Sequence, residues 1–284
     1  MSRNSRHSGS FPISAIPENK LEEEYRSRMK NDQELMTKEF DSIPTTTHAA
    51  MQHASKRANS INNRYRNVLP YDEHRVTLNQ QPGDPFSDYI HASYIDGYSQ
   101  NHEFVAAQVP TVNTVADFWR MIWEREIQAI VMVTNLKEGA EEKCARYWSE
   151  EIEERFEAWD LVVTVKRIDS LAEFIIREMN VQHAVSGIER SVIQLHFTAW
   201  PDFGVPQNPI GMLKFIRKFN QIKRSFNLNT FTMGGSGIAS AGDKPALVHC
   251  SAGVGRTGTF IALDYMMKQL EAEQAIDLPR FVNR

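Results

Sequence analysis

Cys250 is followed six positions later by Arg256, and small residues fill most of the stretch between them, in VHCSAGVGRTGTF (Val248–Phe260). Ala246, Leu247 and Val248 form a short apolar run suited to a buried strand, while Phe260, Ile261, Leu263 and Met267 continue at helical spacing. Cys250 is therefore expected where a strand ends, with Gly253 to Gly258 filling the turn into a helix. Backbone N–H groups at such a turn converge with the helix N-terminus on one point and form a nest for an anion. Helix N-termini and adjacent cations lower a thiol's pKa from about 8.5 to roughly 3.5–7.5, so this position suits a thiolate nucleophile. Arg256 adds a planar fork of donors matched to a phosphate or carboxylate. A nucleophile, an anion cradle and a guanidinium thus converge on one small oxyanion.

Three other readings of the same residues fare worse. Gly253, Gly255 and Gly258 also satisfy G-x-G-x-x-G, but a dinucleotide site needs a second strand ending in an acid about 20 residues on. Asp277 has the spacing, yet the intervening TFIALDYMMKQLEAEQ reads as helix. A Walker loop needs lysine after its glycine, and Gly255 is followed by Arg256. A buried inert cysteine explains neither the glycines nor the arginine.

The bulk composition narrows the setting. The chain has 284 residues, 41% hydrophobic and 24% charged, an ordinary globular balance that permits a sizeable core. A net charge of −4 argues against nucleic-acid binding through a broadly basic face. Two cysteines, Cys144 and Cys250, make no disulfide framework and suit a reducing, cytoplasmic compartment. No apolar run approaches the roughly 18 residues of a membrane span, and MSRNSRHSGSF has no apolar signal core behind it.

Several elements must hold the cysteine turn in place. Residues 1–17 read as a flexible arm, and Leu21, Tyr25, Met29, Met36 and Phe40 place a narrow apolar stripe on a helix from Glu18 to about Phe40. Ile43 to Ala58 reads as a loop. Strands are expected at Phe104–Gln108, Ile127–Thr134, Leu161–Arg167, Glu173–Met179, Val192–Phe197 and Ala246–His249. Helices are expected at Val112–Arg125, Pro209–Ile222 and Thr257–Glu271. Strand pairs such as 161–167 and 173–179 read as antiparallel hairpins, so the class is α/β with a mixed sheet. FNLNTFTMGGSGIASAGD (226–243) reads as a Gly/Ser-rich surface insertion.

HCSAGVGRTG resembles the Cys-x5-Arg-Thr signature loop of the protein tyrosine phosphatases, and further blocks of that family follow the same order. NRYRNVLPYDEHRV (Asn63–Val76) resembles its phosphotyrosine-recognition loop, and WPDFGVP (Trp200–Pro206) its mobile acid loop. LKEGAEEKCARYW (Leu136–Trp148) resembles the loop that carries a structural glutamate. DYIHASYIDGY, FVAAQVP and DFWRMIWE resemble framework blocks, and VMVTNLKE and PIGMLKF point to the receptor-type alpha and epsilon subgroup. The resemblance runs from about residue 35 to the end. It divides the chain into an arm with an N-terminal helix, 1–34, and a catalytic domain, 35–284, built on a highly twisted mixed sheet flanked by helices.

The resemblance implies hydrolysis of phosphotyrosine in proteins through a cysteinyl-phosphate, without metal or other cofactor. Cys250 would attack phosphorus, while the backbone of Ser251, Ala252, Gly253, Val254, Gly255 and Arg256, with the Arg256 side chain, would hold the equatorial oxygens. Asp202 would protonate the leaving phenolate, and Thr257 would hydrogen-bond Cys250 and help it leave in the second step. Tyr65 would stack on the substrate ring and set a pocket depth that favours phosphotyrosine, with Arg66 and Asn67 meeting the flanking peptide. Glu138 would orient Arg256, and His249 would support the loop. Cys144 is read as core.

Two departures stand out. His91 occupies a place where the family pattern has asparagine, in a position that helps brace the signature loop. The chain also ends at AIDLPRFVNR, before the family's glutamine segment and last helix. That reads as a C-terminally truncated fragment or isoform with impaired turnover. Its alternative reading is a phosphotyrosine-binding pseudophosphatase or dominant-negative fragment.

Overall fold

Near-continuous apolar runs, such as Ala129–Met132 and Ala246–Val248, build a sheet whose centre is buried on both faces. The computed structural model describes residues 15–43, 49–201, 204–232 and 244–282. Asp202, the first 14 residues of the arm and residues 233–243 of the Gly/Ser-rich stretch lie outside them. In chain order the strands are β1 (Ile16–Pro17), β2 (Arg75–Thr77), β3 (Tyr89–Ile95), β4 (Phe104–Gln108), β5 (Ala129–Met132), β6 (Lys137–Glu138) and β7 (Glu141–Glu142). They continue with β8 (Arg155–Ala158), β9 (Leu161–Ser170), β10 (Phe174–His183), β11 (Glu189–Phe197), β12 (Ala246–Cys250) and β13 (Ala275–Ile276). The helices are α1 (Leu21–Arg28), α2 (Glu34–Asp41), α3 (Val115–Glu124), α4 (Pro209–Thr232), α5 (Gly255–Glu273) and α6 (Leu278–Val282).

Two compact units are distinguished. The first combines the residues up to 47 with those from 264 onward. In it β1 pairs antiparallel with β13, Ile16 opposite Ile276, and the rings of Tyr265 and Phe281 lie 4.8 Å apart. The single helix expected from Glu18 to Phe40 is divided into α1 and α2. Asn31 and Gln33 adopt left-handed backbone angles, φ 50° and 65°, which interrupt the helical ladder. The expected apolar stripe is not buried: neither helix holds a buried residue, and Tyr25, Met29 and Phe40 are exposed.

The second unit, 48–263, holds a nine-stranded sheet in the order β2-β3-β4-β12-β5-β11-β10-β9-β8. Its centre is parallel, with β12 between β4 and β5 and β11 beside β5, while the flanking pairs are antiparallel. The expected hairpin is the antiparallel pair of β9 and β10. This is the mixed α/β class that the sequence predicts.

On one face of the sheet α3 packs Phe118, Trp119, Met121 and Ile122 against Val105, Ala107, Ile130, Met132 and Leu247. On the other face Phe215 of α4 meets Phe174, Phe197 and Phe260 at ring separations of 5.3, 5.2 and 5.9 Å. Side chains one residue apart on a strand point to opposite faces. That rule turns His249, two residues after Leu247, toward Phe118 and Tyr147, and turns Cys250 away from them. α4 reaches Thr232, so residues 226–232 of the expected insertion are helix. FNLNTFT contains no glycine or proline, and its Asn and Thr residues carry only modest helix penalties.

Candidate active site

β12 ends between two parallel neighbours, so Cys250 emerges at the carboxyl edge of the sheet centre, where open α/β sheets place their ligands. It is buried, and α5 begins five residues later at Gly255. The turn is tied to β4 through the Val109 amide, which donates to the Ser251 carbonyl at 3.2 Å. It is tied to the helix through the Gly258 amide, which donates to the Val254 carbonyl at 2.7 Å.

Gly253 makes this turn possible. Its φ is +75°, and a Cβ there would lie 2.5 Å from both the carbonyl carbon and the oxygen of Ala107. Gly253→Ala is expected to lose about 1–2 kcal/mol to left-handed strain alone and to push the loop off β4. Gly258→Ala, in open space on α5, is expected to be neutral or stabilising by up to about 1 kcal/mol. Denaturant unfolding of both variants measures the difference.

Arg256 lies in the first turn of α5. Its Nη2 donates to Glu138 Oε2 at 3.0 Å while Nη1 pairs with Glu138 Oε1, a bidentate clamp between largely buried side chains. Glu138 Oε1 also accepts from Thr134 Oγ1 at 3.0 Å and from the Asn135 amide at 3.2 Å. Arg256 Nη1 reaches Thr134 Oγ1 at 3.3 Å, and Nη2 donates to the Pro201 carbonyl at 3.1 Å. Thus Pro201, the residue before Asp202, lies against the guanidinium. Beside it the buried Trp200 donates Nε1–H to the Gly204 carbonyl at 3.2 Å.

The Tyr65 hydroxyl lies 2.8 Å from Ser251 Oγ, on the signature turn. Burial raises its pKa, but hydrogen bonding to Ser251 and to Arg64 outweighs that and leaves it lowered overall. Arg66 and Asn67 are exposed beside it. The segment is braced from below: Gln108 Nε2 donates to the Asn62 carbonyl at 2.7 Å, and its Oε1 accepts from the Arg64 amide at 2.9 Å. His91, which burial holds neutral, bonds the Val68 carbonyl through Nε2 at 2.8 Å. In this chain, then, His91 ties down the recognition segment.

His249 is wholly buried, its pKa pushed down to about 3 by desolvation, with Nε2 2.8 Å from the Tyr147 hydroxyl. Thr257 is also wholly buried. Its hydroxyl has no hydrogen-bond partner, so the expected bond to Cys250 is not formed here. Cys144 is core: burial raises its thiol pKa, and Sγ contacts the Ala145 carbonyl at 3.1 Å. Sequence reading passed over Thr134 and Gln194, whose only signal was a polar residue inside an apolar run, and Tyr147, which carried no such signal in the charged segment EEKCARYWSEE.

The protein-tyrosine phosphatase family profile matches residues 59–284, and the chain belongs to that family. It is 43% identical to human receptor-type tyrosine-protein phosphatase alpha over 277 residues, covering 95% of this chain and 32% of that protein. It is 45% identical to human receptor-type tyrosine-protein phosphatase epsilon over 281 residues, 96% of this chain and 37% of the relative. Mouse receptor-type tyrosine-protein phosphatase C is 41% identical over 265 residues, 92% of this chain and 19% of the relative. The chain spans about a third of the length of the alpha and epsilon relatives. Among the described residues no helix is long and apolar enough to cross a membrane.

Proposed function

We propose that this chain hydrolyses phosphotyrosine in proteins through a cysteinyl-phosphate intermediate, with Asp202 as general acid. The observation that carries the reading is the bidentate Glu138–Arg256 clamp beside the Cys250 turn. A guanidinium pre-oriented by a buried carboxylate is suited to charge spread over equatorial phosphoryl oxygens, and holding it in advance avoids reorganisation during reaction.

The Cys250 sulfur attacks phosphorus as the bond to the tyrosine oxygen breaks. Asp202 gives its proton to that oxygen, and the phosphoryl group rests on sulfur. Water then attacks phosphorus and gives a proton to the Asp202 carboxylate as the sulfur–phosphorus bond breaks, so that inorganic phosphate leaves and both the thiolate and the acid are restored. Backbone N–H groups from Ser251 to Arg256 hold the transferring group in both steps. Tyr65 walls the pocket, and its height favours the longer phosphotyrosine over phosphoserine.

Phosphate release from a phosphotyrosyl peptide is expected to exceed that from its phosphoseryl counterpart by about a hundredfold or more, with chelator present. Equal rates on the two peptides would overturn the substrate class. Activity that collapses in chelator would overturn the cysteine mechanism.

A further inference from the structure

A chain of polar side chains, half-buried at Arg177 and wholly buried beyond it, leads from β10 to the residue beside Cys250, and each link fixes the direction of the next. Arg177 of β10 can only donate, and its Nη1 lies 2.7 Å from Gln194 Oε1. That orients the Gln194 amide so that its Nε2 donates to the Tyr147 hydroxyl oxygen at 2.7 Å. The Tyr147 proton is then left for a further acceptor, and His249 Nε2 lies 2.8 Å away. The competing acceptor, Met132 Sδ at 3.8 Å, is a weak one. A neutral imidazole whose Nε2 accepts must carry its proton on Nδ1. That nitrogen makes no hydrogen bond of full geometry, and the backbone group that interacts with the ring is that of Cys250, the first residue of the signature turn.

The same guanidinium acts on a second ring in the opposite sense. Arg177 Nη1 is 3.5 Å from His196 Nδ1, and His196 Nε2 is 2.9 Å from the Thr134 carbonyl. His196 must therefore hold its proton on Nε2 and donate it to Thr134, whose hydroxyl in turn contacts Arg256 and Glu138. Gln194, Tyr147 and His249 are wholly buried, so no solvent competes for these links, and Arg177 is fixed over the Trp148 ring at 4.8 Å. Tyr147 and His196 are the titratable side chains that bear on His249 among the described residues, and the Cys250 backbone meets the same ring.

We propose that Arg177 and Gln194 are positioning residues of this active site, which set opposite tautomers in His249 and His196 and so aim the His249 Nδ1–H at the Cys250 turn. The proposal rests on the phosphatase reading for its catalytic meaning. Its geometric content is independent of that reading.

The direct test is a long-range 1H–15N correlation spectrum of the histidine-labelled protein, which reads the tautomer of each ring. In the unmodified chain His249 is expected to be protonated on Nδ1 and His196 on Nε2; the reverse at His249 overturns the proposal. Gln194→Glu replaces a donor with a pure acceptor and keeps a partner for Arg177. It is expected to draw the Tyr147 proton away and move the His249 proton to Nε2. Iodoacetate labelling of Cys250 at pH 6 is then expected to slow about tenfold. Arg177→Lys, which keeps the donor, is expected to restore most of the labelling rate lost in Arg177→Met. An unchanged His249 tautomer in Gln194→Glu, or equal labelling in the two Arg177 variants, would sink the idea. If the tautomers are as stated but no phosphotyrosine is hydrolysed, the proposal stands and the phosphatase reading falls. Reversed tautomers in an active enzyme have the opposite meaning.

Discussion

Cys250→Ser is expected to lower turnover of a phosphotyrosyl peptide by at least about 10⁴-fold, as removal of a covalent nucleophile does in other enzymes. A serine hydroxyl is nearly isosteric with the thiol but holds its proton far more tightly, and no general base is among the residues assigned here to activate it. The cradle is untouched by the change. Gly253 keeps its left-handed turn against Ala107, and Arg256 keeps its Glu138 clamp. Peptide binding is therefore expected to persist while turnover disappears, a split that equilibrium binding and phosphate release measure together. Cys144→Ser is expected to leave the chemistry intact, because that thiol is sealed in the core against Ala145. Turnover of Cys250→Ser within tenfold of the unmodified chain would show that sulfur does not carry the phosphoryl group.

Asp202→Ala is expected to lower kcat by about 10²–10⁴-fold on substrates with poor leaving groups, with little change in KM. The proton is needed only as the phenolate departs, so the loss should shrink as the leaving phenol becomes more acidic. The pH profile provides a second readout. A general acid must be protonated to act, so kcat falls as pH rises through its pKa, and that limb should vanish in the variant. Trp200 is buried, and the Pro201 carbonyl accepts from Arg256, so the residues just before Asp202 are anchored at the guanidinium. Full kcat on a poor leaving group after Asp202→Ala would move the acid role elsewhere.

Much of the fold was legible because local pattern and tertiary demand agreed. Phe104–Gln108 was expected as a strand and is β4, since an apolar run of that length has no other stable use between α/β layers. β2, β3 and β8 went unread: RVT and RFEA carry charge, HAS interrupts the apolar run of YIHASYI, and only pairing with neighbouring strands makes them sheet. The division between α1 and α2 was hidden because apolar spacing does not register a left-handed residue.

Sequence alone placed Cys250, Gly253, Gly255 and Arg256 in one strand-to-helix turn, because they lie within seven consecutive positions between an apolar run and a helical pattern. Tertiary structure decided the partners. Glu138 reaches Arg256 across 118 positions of chain and Tyr65 reaches Ser251 across 186, contacts that depend on sheet order and on no local preference. The direction of the Arg177–Gln194–Tyr147–His249 chain was decided at the same level. Its polarity follows from side chains on β10, β11 and β12 and the segment before β8 sharing one face of the sheet, and that juxtaposition exists only once the strands have paired.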